Sequence, residues 1–291
     1  MNYPAPNHVA ETDRHPDWLT APHHARIYDY WLGGKDHFAA DRQVAEEVCR
    51  CWPEAITAAQ ASRAFGRRVT WYAAAGCGIR QFLDIGPGLP APDSTLEVSQ
   101  RISPACRVIC ADNDPVVLAH ARAQTITSGP DGPCEVIDAD LRDPDALLAQ
   151  AATGLDFDQA AAVLLLGVLQ FIGDADDPAA IIARLADGLA PRSMIAVSSL
   201  TADCAPGPVA AGVAAWNARV PAPLIPRSAA EITAMFGDLP LQWPGAVPVT
   251  QWRPSLRDSP RAHADMLGAV ARIPAVGDHH WRNAALWPAP S

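Results

Sequence analysis

The sequence has little of what marks a nucleic-acid-binding or membrane-spanning protein. Its 291 residues include 22 Lys and Arg against 32 Asp and Glu, so the formal net charge is −10. This acidic balance argues against nucleic acid or an anionic membrane as the main partner. No apolar run approaches the roughly 20 residues that a membrane helix needs, and the Pro-rich N-terminus lacks an apolar signal core. We therefore expect a cytoplasmic protein that binds neither nucleic acid nor membranes.

Disulfide, metal and serine-hydrolase patterns are also missing. The seven cysteines are an odd, scattered set without a Cys-x-x-Cys pair, which predicts free thiols in a reducing cytoplasm. His23-His24 and His279-His280 have no third ligand at a suitable spacing, so we predict solvent-exposed histidines and no metal site. Gly-x-Ser-x-Gly and Ser-x-x-Lys patterns are absent, which leaves hydrolysis by an activated serine without support.

The stretch 82–89, Phe-Leu-Asp-Ile-Gly-Pro-Gly-Leu, is the most informative part of the chain. An apolar run that reads as a buried strand contains Asp84 near its end, and Gly86 and Gly88 follow. Glycines here allow a tight turn and a close approach of the backbone to a ligand. The motif alone leaves three interpretations open. It fits a Gly turn that a ligand approaches, the dinucleotide fingerprint Gly86-x-Gly88-x-x-Ala91, and a structural turn without a ligand.

From residue 80 onward, strand and helix patterns alternate. We predict strands near 81–85, 107–111, 134–137, 161–166 and 194–198, with further candidates at 247–252 and 266–273. The run Ala161–Leu166 is apolar throughout, as expected of a strand buried on both faces. The alternation predicts an α/β fold with a doubly wound, mostly parallel, seven-stranded sheet.

The chain divides into four expected regions. Residues 1–20 read as a flexible arm, 21–78 as a helical N-terminal extension, 79–274 as the sheet domain and 275–291 as an irregular tail. The extension contains three helical stretches that are separated by Gly33-Gly34 and by the region before Pro53.

The segment 25–42 mixes aromatic residues, charges and a Gly pair. A helix, its Gly cap and the start of the next helix would explain it. A packed helix, however, does not need Tyr28, Asp29, Lys35 and Asp36 together at one bend. We therefore favour a cap that closes over the ligand crevice and excludes water.

Carboxylates follow three successive strands of the predicted sheet. Asp84, Asp112 and Asp140 each stand at the carboxyl end of a strand. In a parallel sheet these ends lie along one edge, where open α/β folds bind their ligands. The sequence therefore predicts a polar ligand at that edge.

The chain from about residue 25 to 273 resembles an actinobacterial family of S-adenosylmethionine (SAM)-dependent methyltransferases that was long a domain of unknown function. The matching stretches are 26–36 (Arg-Ile-Tyr-Asp-Tyr-Trp-Leu-Gly-Gly-Lys-Asp), 81–86, 112–122 and 139–144. The resemblance implies the class I methyltransferase fold, Rossmann-like in its sheet, and SAM as the cofactor. It also implies that the Gly turn holds the methionyl group, Asp112 the ribose hydroxyls and Asp140 the adenine.

The resemblance therefore assigns a set of cofactor-binding residues, namely Tyr30, Asp84, Gly86, Gly88, Asp112, Asn113, Asp140 and Leu141. Pro87, Leu96 and Gln170 depart from the family, which usually has Ser or Thr, His and His there. Because Pro87 has no N–H to donate, a non-catalytic SAM-binding or regulatory protein stays open as an alternative. An NAD-dependent oxidoreductase is the less favoured second alternative.

Methyl transfer needs orientation of donor and acceptor, and a base only if the nucleophile must lose a proton. The candidate catalytic residues are Gln170 after strand four and Tyr28 and His37 in the cap. We expect a small-molecule acceptor. The sequence identifies neither that acceptor nor the methylated atom, and it leaves homo-oligomerisation open.

Overall fold

The structure is a computed structural model that describes residues 20–125, 134–254 and 264–275. The expected arm, apart from Thr20, and the expected tail with His279-His280, apart from Ala275, lie outside the described residues. Helices α1 (His24–Trp31), α2 (Ala39–Cys51) and α3 (Ala55–Trp71) precede the sheet, and a π-helical turn at Tyr72–Gly76 continues α3. No helix in the described ranges is long and apolar enough to cross a membrane.

Strands and helices then alternate. The strands are β1 (Gln81–Ile85), β2 (Arg107–Asp112), β3 (Cys134–Asp138), β4 (Ala161–Leu166), β5 (Met194–Leu200), β6 (Val247–Pro248) and β7 (Met266–Arg272). The helices among them are α4 (Thr95–Ile102), α5 (Pro115–Thr125), α6 (Pro144–Ala151), α7 (Pro178–Asp187), α8 (Pro206–Asn217) and α9 (Ala229–Met235).

The seven strands form one sheet in the order β3-β2-β1-β4-β5-β7-β6. Strands β1 to β5 pair in parallel, whereas β7 runs antiparallel to both β5 and β6. This confirms the predicted doubly wound, mostly parallel sheet. The antiparallel β7 also separates this sheet from the dinucleotide-binding order, in which six strands follow as 3-2-1-4-5-6.

Strand β6 is shorter than the sequence predicts. Of the residues 247–252, only Val247 and Pro248 pair with β7, and Val249–Gln251 form a 3₁₀ turn. Because Pro248 has no N–H for the ladder, a proline at this edge limits the strand. The predicted strand over 247–252 was therefore too long.

The N-terminal helices pack on one face of the sheet. Phe65 of α3 is fully buried in the same core as Phe82 of β1 and Val270 of β7, and neighbouring Leu83 faces the second core. A Cβ on Gly268 of β7 would lie 2.8 Å from the Phe65 ring. Glycine therefore lets α3 approach the sheet closely, and the helical extension forms part of the main core.

The turn between α1 and α2 is built around the buried Asp41 carboxylate. Arg26 Nε donates to it at 2.8 Å, and the amides of His23 and Phe38 donate at 2.8 and 2.7 Å. Asp41 is fully buried and Arg26 is 2% exposed. Because these donors come from the start of α1, from α1 itself and from the start of α2, Asp41 fixes how the chain enters both helices.

Asp29 holds the second half of the same turn. Its carboxylate accepts the Asp36 amide at 2.9 Å, and it occupies the space that a Cβ on Gly34 would need. Gly33 has φ +79°, a conformation that favours glycine. Much of the unusual composition of 25–42 thus builds the turn itself. This agrees with the explanation that the sequence analysis favoured less, namely a helix, its Gly cap and the start of the next helix.

Candidate functional site

A cavity of about 340 Å³ lies at the carboxyl edge of β1, β2 and β4, and residues of α1 and α3 also line it. A volume of this size is in the range of small-molecule sites. Most of the site residues predicted from the sequence line it, namely Tyr28, Asp84, Gly86, Gly88, Asp112, Asn113, Asp140, Leu141 and Gln170.

The Gly turn after β1 forms the centre of the cavity wall. Gly86 and Gly88 have φ values of +64° and +69°. A Cβ on Gly86 would lie 2.5 Å from Val168 Cγ2, whereas a Cβ on Gly88 would meet no atom within 4 Å. Gly86 is therefore required where the turn passes the chain after β4, and Gly88 leaves bare backbone beside open space.

Asp84 is buried beneath this turn. Thr95 Oγ1, at the start of α4, donates to its carboxylate at 2.6 Å. Burial raises the pKa of Asp84, and the Thr95 hydrogen bond partly opposes that rise. Asp84 therefore connects β1 to the helix that follows the Gly turn.

Asp112 ends β2 and is only 9% exposed. The Asp114 amide donates to its Oδ1 at 2.9 Å. Burial raises the pKa of Asp112 to about 6, although backbone hydrogen bonds oppose the rise. The carboxylate is thus held on the cavity wall with incomplete compensation for its lost hydration.

Asp114 binds the N-terminal helices to the sheet. It caps α5 by accepting the amides of Val116 and Val117 at 2.7 and 2.8 Å, and its other oxygen lies 2.7 Å from His23 Nε2. Burial works to raise the pKa of Asp114, but His23 and the two amides outweigh burial and lower the pKa to about 2. His23 is therefore not the free surface histidine that the sequence predicted.

His24 also departs from the prediction of exposed histidines, because its half-buried ring lines the cavity. The ring lies 4.8 Å from the Phe171 ring and 4.1 Å from the His23 ring, measured between centroids. Burial, followed by the neighbouring His23, lowers the pKa of His24 to about 3. No motif marked this residue, and two adjacent histidines before a helix were the only available signal.

Asp140 lies at the more open end of the cavity, and its side chain is 40% exposed. Its carboxylate accepts bonds from Asn113 Nδ2 at 3.1 Å and from Arg142 Nη1 at 3.0 Å. Burial works to raise the pKa of Asp140, but the Arg142 amide and guanidinium hold it below its ordinary value. The neighbouring Leu141 is buried and adds an apolar contact surface.

The chain after β4 lines the cavity as well. Gln170 Oε1 accepts the Leu200 amide at 2.9 Å, so this side chain is fixed to β5. Aromatic and aliphatic side chains of one apolar cluster also line the cavity, including Trp31, Trp52, Phe171, Trp216, Leu224 and Met266. We call this part the aromatic chamber.

Three residues expected at the site lie elsewhere. Tyr30 donates to Glu46 at 3.3 Å, His37 lies edge-on to Tyr30, and the exposed Asp36 lies 3.9 Å from His120. None of these three side chains lines the cavity. Helix α1 turns one face to the cavity and the opposite face away from it, so Tyr28 reaches the site and Tyr30 does not. Within the described ranges, no group of three metal-ligating side chains occurs.

Comparison with known proteins places these features in a family. A family model described as S-adenosyl methyltransferase matches residues 13–274. A DUF574 family protein from Streptomyces avermitilis is 35% identical, with 88% of this chain and 99% of that chain covered and a TM-score of 0.83. A provisionally named methyltransferase from Thermobifida fusca is 32% identical, with 91% and 100% covered and a TM-score of 0.81. A search of curated proteins finds no match.

Proposed function

Because the chain belongs to the S-adenosyl methyltransferase family and is a SAM-dependent methyltransferase of the class I fold, we propose that its acceptor is a small molecule bound in the aromatic chamber. One observation carries this proposal. A single cavity is lined both by the strand-end carboxylates and by the aromatic chamber beneath α1 and α3. A cofactor at the polar end would therefore meet an acceptor at the apolar end.

The residues at the polar end suit SAM. Gly88 borders open space and has no side chain that would block a methionyl group. Asp112 offers a carboxylate for the ribose hydroxyls, and Asn113 lies beside it. Asp140 and the buried Leu141 offer a hydrogen-bond acceptor and an apolar surface for adenine.

When bound, SAM supplies an electrophilic methyl group on a sulfonium. The protein's own task is to orient the acceptor and to exclude water from the reacting centre. Trp216 is fixed by a bond from Nε1 to the Ala222 carbonyl at 2.8 Å, and Tyr28 donates to the Ala59 carbonyl at 3.0 Å. These rigid aromatic side chains therefore present a preformed surface to the acceptor.

The NAD alternative gains no support from the geometry. In a dinucleotide fingerprint the third small residue lies in the helix that packs on the first strand. Ala91 instead lies in the loop, and α4 begins only at Thr95. Pro87 and Gln170 both line the cavity, and no observation of the described residues favours a non-catalytic protein.

Titration calorimetry with SAM, S-adenosylhomocysteine and NAD tests the cofactor assignment. We expect the first two to bind and NAD to give no heat. Incubation of the protein with a small-metabolite extract and methyl-labelled SAM then tests the acceptor class, because label should appear in molecules below the size cut-off of a filter. Label found only in macromolecules would overturn the small-molecule proposal.

A further inference from the structure

The dipeptide His23-His24 crosses the site from one strand end to another. His23 pairs with Asp114 beyond β2, and His24 packs on Phe171 beyond β4. Strand β1, which carries the Gly turn, lies between β2 and β4 in the sheet. The two imidazoles therefore lie across the Gly turn, between the ribose-binding carboxylate and the aromatic chamber.

The His24 imidazole is available to a ligand. Its ring lines the cavity, and neither ring nitrogen has a hydrogen-bond partner among the residues that the structure describes. The adjacent His23 differs, since its Nδ1 lies 3.3 Å from the Ala25 amide and its Nε2 lies 2.7 Å from Asp114. His23 thus anchors the start of α1, and this anchor positions His24.

Among the described residues, no ionised side chain lines the aromatic chamber, although the buried Asp265 carboxylate accepts the Trp52 Nε1–H at 2.7 Å. The charged groups that line the cavity belong to the carboxyl ends of the strands and the loops after them, or to Arg63 and Arg67 of α3. Arg63 donates to the Ala91 and Pro92 carbonyls, and Arg67 pairs with Asp93 at 3.2 Å. A charged acceptor would therefore lose hydration in the chamber without gaining an ion-pair partner among the side chains that line it.

We propose that the acceptor is an uncharged aromatic compound with a hydroxyl group, held among Tyr28, Phe171 and Trp216, and that His24 accepts the hydroxyl proton. This inference rests on the proposed small-molecule function. The rings supply apolar, flat contact surfaces. His24 supplies the hydrogen-bond acceptor beside them, and a fixed polar group in an apolar pocket rejects analogues that cannot pair with it.

The proton balance favours a hydroxyl over an amine. The acceptor oxygen takes up the methyl group as the carbon–sulfur bond leaves its electron pair on sulfur, and the hydroxyl proton passes to the His24 imidazole. An oxygen that carries both a methyl group and a proton is a far stronger acid than an imidazolium, whereas a methylated alkylammonium is a weaker one. Burial lowers the pKa of His24, His23 and Arg26 add to this effect and the charge of Asp114 opposes it, so the ring is neutral before the transfer.

Binding to the protein saturated with S-adenosylhomocysteine tests the inference without turnover. The probes are phenol, catechol and 4-methylumbelliferone, with 7-methoxy-4-methylcoumarin and tyramine as comparisons, and quenching of tryptophan fluorescence is the signal. We expect at least one phenolic probe to bind. We also expect 4-methylumbelliferone to bind about tenfold more tightly than its methoxy analogue. A difference of this size corresponds to the loss of one hydrogen bond to a buried polar group.

The variant His24→Phe keeps a ring but removes the proton acceptor, and His37→Phe is the matched control away from the cavity. We expect His24→Phe to weaken phenolic binding about tenfold and to leave S-adenosylhomocysteine affinity within about twofold. His24→Asn gives the same comparison if His24→Phe does not fold. Failure of the wild type to bind S-adenosylhomocysteine would overturn the proposed function. Three other results would overturn this inference alone. They are normal cofactor binding without binding of any phenolic probe, tighter binding of tyramine than of the uncharged phenols, and a His24 variant that behaves like the control.

Discussion

Two buried aspartates, Asp41 in the first turn of α2 and Asp112 at the end of β2, differ in their partners: Asp41 holds the N-terminal helices together, and we propose that Asp112 serves a ligand. Asp41 is fully buried and receives bonds from the Arg26 guanidinium and two backbone amides. Asp112 is nearly as buried, but it has no cationic partner among the described residues.

The two carboxylates also differ in how far hydrogen bonds compensate for the hydration that each loses on burial. The bonds to Asp41 compensate for the hydration that its charge loses on burial. Burial of Asp112 instead raises its pKa to about 6, which means that the folded protein holds this charge at a disadvantage. We therefore propose a binding role for Asp112, and substitutions at the two positions should separate the two roles.

The largest effect is expected for Asp41→Asn. Removal of this charge leaves the Arg26 guanidinium buried without its counter-ion, so the free energy of unfolding should fall by roughly 3 kcal/mol. Urea denaturation measures this loss. The control is Asp36→Asn, an exposed carboxylate of the same turn, which should change stability by less than about 0.5 kcal/mol. Equal stability of the two variants would show that the Asp41 network does not hold the turn.

The next effect is expected for Asp112→Asn, which should weaken SAM binding by roughly 1–3 kcal/mol through loss of charge-assisted hydrogen bonds. The melting temperature of the protein without ligand should rise, because the variant no longer buries a charge. Calorimetry and thermal denaturation measure the two quantities. A lower melting temperature with unchanged SAM affinity would make Asp112 a structural residue like Asp41.

The pH dependence of SAM binding sharpens the same point. Since the folded-state pKa of Asp112 is about 6, SAM affinity should fall as the pH drops through 6 and the carboxylate gains a proton. The free energy of unfolding should change in the opposite direction. Because the pKa of Asp112 is higher in the folded state than its unfolded value of about 3.9, protonation favours folding. The contribution of Asp112 to stability therefore grows as the pH falls below 6 and is fully present only below about 3.9. Asp112→Asn should flatten the affinity profile across this window, and an unchanged profile in the variant would contradict the assignment.

The smallest effect is expected for Asp140→Asn. Because this side chain is 40% exposed and already paired with Arg142, its loss should weaken SAM binding by about 1 kcal/mol or less. The melting temperature without ligand should stay nearly unchanged. If the variant protein instead unfolds, the bond from the Arg142 amide to Asp140 is a structural support for the loop after β3 and the adenine assignment fails.

Local patterns were enough to predict the sheet and the polar end of the cavity. Apolar runs at β1 and β4, separated by capped helices, indicate a parallel sheet, and residues at parallel strand ends meet along one edge. Asp84, Asp112 and Asp140 could thus be placed on one edge from the order of strands and helices alone. The cofactor class came from the resemblance of longer stretches to a known family.

The tertiary structure alone decided which N-terminal residues reach the cavity. His24 and Tyr28 line it, whereas Tyr30 and His37 face away, although all four belong to the same short segment. The rotation of α1 is set by partners distant in the sequence, namely Asp41 for Arg26 and Asp114 for His23. Sequence spacing shows which residues share a helix face, but the direction of that face depends on these long-range contacts.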